Sequence, residues 1–167
     1  MTTNNWEHFA QAEPELAAVV EARFGKYAHH VLATLRKDGS PRLTGLNTSF
    51  RGGELWLGMM PGSMKARDLR RDPRFALHTN PGADESMPDG DVRISGRAVE
   101  ILDPPELHRY AEESGEPVQP SHLFRVELSE VVHTGIDGDD LVVRVWTPSG
   151  GLRTIRRGND DEPARED

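Results

Sequence analysis

The residues of this chain best equipped for chemistry lie in "GMMPGSMKARDLRRDPRFALH", residues 58–78. Met60-Pro61-Gly62 reads as a turn, Ser63 as the cap of a short helix, and Lys65 and Arg67 as cations in the first turn of that helix. A helix N-terminus already carries about half a positive charge, so both side chains oppose the local field unless an anion sits there. Free backbone N–H groups, a hydroxyl and an ammonium group at that corner make a cradle for a phosphate. A purely structural account is also open: Lys65 and Arg67 are solvated, and Asp68 pairs with Arg71 as an ordinary i,i+3 couple.

Other chemistries find little support. With no cysteine in the chain, disulfides, thiolate metal sites and cysteine nucleophiles are excluded. His29 and His30 are adjacent in a strand-like run and point to opposite faces, so no metal site is expected from them. The Asp and Glu residues concentrate in loops and the C-terminal tail rather than as a catalytic pair, and no Ser-His-Asp arrangement stands out.

The chain of 167 residues is one domain in size, large enough to bury a core unaided. A net charge of −8 and the lack of a long basic run argue against nucleic-acid binding. The N-terminal "MTTNNWEHFAQAEPE" has neither a basic start nor an apolar core, and no apolar run approaches membrane-spanning length. A soluble, cytoplasmic protein is expected.

The elements that position the cradle are mostly short strands. A helix is predicted from Pro14 to Gly25, with Leu16, Val19, Val20 and Phe24 as its apolar stripe. Three β-type runs follow at 29–36, 42–50 and 54–60, separated by "KDGS" and "RGG", and read as a meander of antiparallel strands. After the short helix, "RFALHT" reads as a strand and "NPGADESMPDG" as a solvated loop or lid. A strand at 91–102 carries Gly96 as a bulge or bend. A second capped helix then starts at Asp103-Pro104, burying Leu107, Tyr110 and Ala111. Strands at 123–134 and 141–147 and a last run, "GLRTIRR", complete a single domain over 1–157. The acidic tail, 158–167, is expected to be disordered. Six or seven short antiparallel strands with Gly-rich turns suggest a closed or nearly closed barrel.

With its D-G hairpin, its third strand ending in "LWLGMMPGS", then "MKARDLRRDPRFALH" and a later "RISGRAVEI", the chain resembles the pyridoxamine 5′-phosphate oxidase-like superfamily. The resemblance covers residues 28–102 well and the rest loosely. It implies a mainly β (α+β) fold, the flavin-binding split β-barrel of six to seven antiparallel strands with a few short helices. Members are homodimers that hold FMN, or in many actinobacterial branches the deazaflavin F420, in a groove at the subunit interface. Carried onto this sequence, the resemblance sets Thr44, Gly45, Leu46 and Asn47, with Gly58 and Met59, beside the ring and its ribityl chain. Ser63, Met64 and Lys65 would hold the phosphate. Gly45 and Gly58 also make sense by themselves, either because a flat ring approaches a strand closely where no Cβ intervenes, or as barrel bends.

Two departures stand out. FMN-binding oxidases usually have arginines where this chain has Thr44 and Met64. That leaves Arg67 or Arg42 as substitutes, F420 in place of FMN, weak binding, or a barrel that has lost its cofactor. The Arg-x-His pair of true pyridoxamine phosphate oxidases is here Arg153-x-Ile155, so vitamin B6 oxidation is not expected. Trp146, Arg153 and Arg156 become candidate ring or phosphate neighbours, with core packing favoured for Trp146. The expectation is an oxidoreductase that moves a hydride between cofactor and a small organic substrate; the alternative is a non-catalytic flavin- or haem-binding protein.

Overall fold

Asn5 caps a helix that the sequence pattern does not announce: its side-chain oxygen accepts the His8 N–H at 3.0 Å, and α1 (Trp6–Ala12) follows. The computed structural model describes residues 4–116 and 121–167. Trp6 and Phe9 of α1 are buried, Trp6 stacking near Phe50 and Phe9 near Trp146 with ring centroids 4.5 and 4.9 Å apart. Pro14 starts α2 (Pro14–Gly25), which lays Leu16, Ala17, Val20 and Phe24 on the same core; Val19 lies at the edge of that stripe.

The strands are β1 (His30–Leu35), β2 (Pro41–Leu46), β3 (Thr48–Arg51) and β4 (Glu54–Met59); α3 (Met64–Arg71) separates them from β5 (Arg74–His78) and β6 (Asp91–Glu100). After α4 (Pro104–Ser114) come β7 (His122–Asp137), β8 (Asp140–Thr147), β9 (Gly151–Arg157) and β10 (Arg165–Glu166). The run at 42–50 is thus two strands and the expected three-strand meander is two hairpins, because the chain changes partner at Asn47. β2 pairs with β1, whereas β3 pairs with β4. Neighbours run from β7 through β6, β5 and β1 to β2, and from β3 through β4 back to β7, closing a split β-barrel. Its opening lies between the unpaired edges of β2 and β3. Leu32, Leu57, Leu77, Ile94, Phe124 and Val126 fill the interior. Adjacent strand residues face opposite ways, so the same ladders turn Val31, Leu43 and Gly45 outward.

Gly96 is the bulge: the β6–β7 register shifts between Ser95 and Gly96, and a Cβ there would lie 2.0 Å from the Glu127 carbonyl oxygen. α4 packs outside the barrel, Leu107 and Tyr110 against Trp56, Ile101 and Leu123, and its face is only partly buried. Asp103 occupies the cap position without a side-chain bond to it.

The loop at 80–90 is strapped at both ends. Buried Arg23 donates to the Asn80 and Gly90 carbonyls at 2.6 and 2.7 Å, and Lys26 donates to Asp89 at 2.6 Å. The tail, expected to be disordered, turns back instead, and β10 pairs with β9. Apolar burial plays no part in this: Arg153 binds Glu166 at 2.7 Å and Arg156 binds Asp167 at 2.9 Å, so charge brings the acidic end to a basic strand. Among the described residues, no helix is long and apolar enough to cross a membrane.

Candidate functional site

The turn at 60–63 and the first turn of α3 meet β2 at the split. The Ser63 N–H donates to the Met60 carbonyl at 3.2 Å, and Gly62 takes φ 71°, a conformation glycine adopts without penalty. Lys65 reaches back across the opening and donates from Nζ to the Gly45 carbonyl at 2.6 Å. Partial burial holds its pKa below the usual lysine range. No carboxylate pairs with it among the described residues, and the first turn of α3 holds no acid. Ser63 occupies the cap position, yet its hydroxyl does not cap: Ser63 Oγ and Thr44 Oγ1 are both shielded from solvent without a partner.

Gly45 and Gly58 sit in undistorted strands. Gly45 pairs with Val31 and Gly58 with Leu123 in unbroken register, and neither has a positive φ. A Cβ on Gly58 would meet nothing within 4 Å, and one on Gly45 only the His30 carbonyl at 3.8 Å. Neither is a bend or bulge, so the fold itself demands glycine at neither place. What their bare faces permit is the close approach of something flat from outside.

The lysine–carbonyl bond and the turn thus bring Gly45, Ser63, Met64 and Lys65 together, with Thr44 and Gly58 on the strands that lead there. Asn47 is exposed and accepts from His29 Nδ1 at 2.6 Å. Leu46 and Met59 point into the core, so toward a ligand they offer backbone only. Arg42 is not a spare phosphate ligand: it donates to Asp68 at 2.7 Å. Arg153 and Arg156 are likewise committed, to carboxylates of the tail and, for Arg156, of Asp137. Trp146 is a core residue. Arg67 is exposed and makes no ion pair among the described residues, which leaves it available at the helix start.

A group of contacts around the turn is invisible in the sequence. The Gly62 N–H donates to His122 Nε2 at 3.0 Å, and His122 Nδ1 lies 2.8 Å from Glu100 Oε1. Arg70 donates to the same carboxylate, from Nη2 to Oε1 at 2.8 Å. Hydrogen bonds from Arg70 and from His122 hold the Glu100 carboxyl below its ordinary range against the opposing effect of burial. Only the β4–β7 register, which sets Met59 opposite His122, could have revealed this cluster. His30 plays no part in it. It is buried, donates from Nε2 to the Phe24 carbonyl and accepts the Asn80 N–H at Nδ1, and burial lowers its pKa. Among the described residues no His, Asp and Glu side chains are grouped to hold a metal ion.

The chain is similar to solved structures that share this barrel. A conserved hypothetical protein from Mycobacterium tuberculosis is 24% identical, with a TM-score of 0.55 over 70% of this chain and 81% of that one. The heme storage protein HutZ from Vibrio cholerae is 16% identical, with a TM-score of 0.53 over 71% and 90% of the two chains. A heme binding protein from Mycobacterium smegmatis is also 16% identical, with a TM-score of 0.51 over 84% and 88%. No curated protein sequence matches the chain. The family model for pyridoxamine 5′-phosphate oxidase matches residues 16–135, from α2 to nearly the end of β7 and including the turn, Lys65 and both bare glycines. By that match the chain belongs to the pyridoxamine 5′-phosphate oxidase family.

Proposed function

We propose that the chain is an FMN- or F420-dependent oxidoreductase acting on a small organic molecule, with the cofactor laid across the split and its phosphate at the start of α3. The observation that carries this reading is the pair of outward glycines that no backbone or packing constraint requires, one of them bonded through its carbonyl to a lysine that no acid neutralises among the described residues. Lys65, the Ser63 hydroxyl and the α3 amides would take the phosphate, with Arg67 as the nearby free cation. The strands at Gly45 and Gly58 would carry the ring, and the backbone at Leu46 and Asn47 would orient it. When bound, such a ring supplies the hydride chemistry itself, and the protein contributes position, hydrogen bonds and the exclusion of water. That division of labour fits the lack of an acid–base pair among these residues.

A second copy of the chain would close the groove. Leu43 is 71% exposed and Val31 37% on the outward face that also carries Gly45, and Met60 is 77% exposed at the turn. Apolar residues spread over one side of a strand pair suit a symmetric contact. Vitamin B6 oxidation is not proposed, since Arg153 stands without a histidine two residues on and is tied to Glu166.

The reading is tested by titrating the purified protein with FMN and with F420 and following fluorescence. Lys65→Ala is expected to weaken binding by about 1.5–3 kcal/mol, roughly ten- to 150-fold, as for the loss of one charge-assisted hydrogen bond. An unchanged dissociation constant removes the phosphate from this corner. The heme storage and heme binding proteins among the structural neighbours favour a second reading, a protein that sequesters flavin or haem without turnover. Reduction of the bound cofactor coupled to substrate turnover supports the enzyme; a chromophore that binds and never turns over supports the second reading.

A further inference from the structure

The surroundings of His122 select one tautomer of its neutral ring. The Gly62 amide points at Nε2, so that nitrogen must present a lone pair. The proton of the neutral ring then sits on Nδ1 and is donated to Glu100 Oε1. Arg70 approaches Nδ1 at 3.2 Å, but in this tautomer its hydrogen bonds go to the Glu100 carboxylate. The assignment follows from the hydrogen-bond network. Among the described residues, Glu100 of β6 and Arg70 of α3 are the charged groups facing the ring. A second proton would set an Nε2–H against the Gly62 N–H, and neither could then accept the other.

We propose that His122 is a positioning residue for the phosphate turn: as a neutral imidazole steadied by Glu100 it fixes the Gly62 amide and so the approach to α3, and its protonation lets the turn go. The link is short. Gly62 immediately precedes Ser63, the cap position of α3, and Lys65 lies two residues further on. The ring spans three elements that meet only in the folded barrel: β7 through its own backbone, β6 through Glu100, and the turn through Gly62. As a statement about cofactor affinity the proposal rests on the phosphate reading above; as a statement about the turn it does not.

The test has two arms on the full chain. In the first, without ligand, the Gly62 amide is followed by NMR from pH 5 to 8. It is expected to move with the same midpoint as the His122 ring protons, to stand still in His122→Gln, and to shift its midpoint to lower pH in Glu100→Gln, which lacks the charge that favours imidazolium. In the second, FMN dissociation constants are compared at pH 7.5 and 5.5. The phosphate's own ionisation affects wild type and His122→Gln alike. Wild type is expected to lose more affinity than His122→Gln, because only the neutral-histidine form is competent and its share falls as the ring takes up a proton. A Gly62 amide indifferent to His122 titration overturns the proposal. So do identical pH profiles for wild type and His122→Gln. If FMN binds at no pH while Gly62 still follows the ring, the latch stands and the flavin reading falls.

Discussion

Asp68→Ala is expected to destabilise the protein by about 3–5 kcal/mol, the range for stripping one partner from a buried ion pair. In a chain of this size that lowers the melting temperature by roughly 6–20 °C. Asp68 is 1% exposed. Its Oδ2 accepts from Thr34 Oγ1 of β1 at 2.8 Å and from Arg42 of β2 at 2.7 Å, and its Oδ1 accepts from Arg71 at 3.0 Å. Arg71 donates in turn to the Leu35 carbonyl at 2.6 Å. One carboxylate thus ties α3 to two strands, and alanine leaves a partly buried Arg42 with no countercharge. Asp68→Asn keeps the shape and the acceptor for Thr34, so it is expected to cost less.

The same carboxylate gives stability a pH dependence whose sign follows from its surroundings. Burial alone would raise the Asp68 pKa, but the hydrogen bonds from Arg42, Arg71 and Thr34 outweigh it, and the folded-state value lies below the ordinary one. A depressed pKa means that the unfolded chain binds the proton more readily. The contribution is therefore complete above the unfolded pKa, about 3.9, and drains away as pH falls through the lower folded value. Wild type is expected to lose stability in acid over that window, and Asp68→Ala to lose less of it, by denaturant melts from pH 2 to 6. Since Asp68 holds α3 against β2, the Lys65 bond to Gly45 should loosen in the variant as well, so flavin affinity is expected to fall even though Asp68 touches no ligand.

Much of the fold was legible because its turns obey local rules. Gly39, Gly52 and Gly53 adopt the positive φ values that "KDGS" and "RGG" foretold, and Gly96 is the bulge it resembles. The break at Asn47 was not legible. Residues 42–50 carry an uninterrupted β-type pattern, and only the competition between β1 and β4 for partners decides where the chain changes hands. α1 was hidden for another reason: seven residues are too few to show a period, and its evidence is one asparagine cap. Arg42 illustrates the limit at the site. An arginine beside a predicted phosphate corner invites the reading of a ligand, yet a carboxylate 26 positions on claims it. His122 lies 60 residues from the amide it receives, a separation no spacing rule spans.

The glycines offer the sharpest separation of fold from function. Almost every substitution that removes a binding site also disturbs packing, so lost activity is ambiguous. Gly45 and Gly58 escape that difficulty. A side chain can leave the strand at either position, since a Cβ at Gly58 meets nothing within 4 Å, one at Gly45 nothing nearer than 3.8 Å, and both residues are exposed. A branched residue suits a strand better than glycine does, and the unfolded chain loses less entropy on folding. Gly45→Val and Gly58→Val are therefore expected to keep or raise the melting temperature of the barrel. Against a ring lying flat on the strands, the added methyl groups would fill the space the ring needs. Flavin affinity is then expected to fall by about 1–3 kcal/mol, roughly five- to 150-fold, the scale of forced overpacking. Melting curves and flavin titrations on the same samples give both numbers. Stable variants that still bind flavin like the wild type would mean that nothing flat rests on these strands, and a variant that unfolds would mean that the fold, after all, requires the glycine.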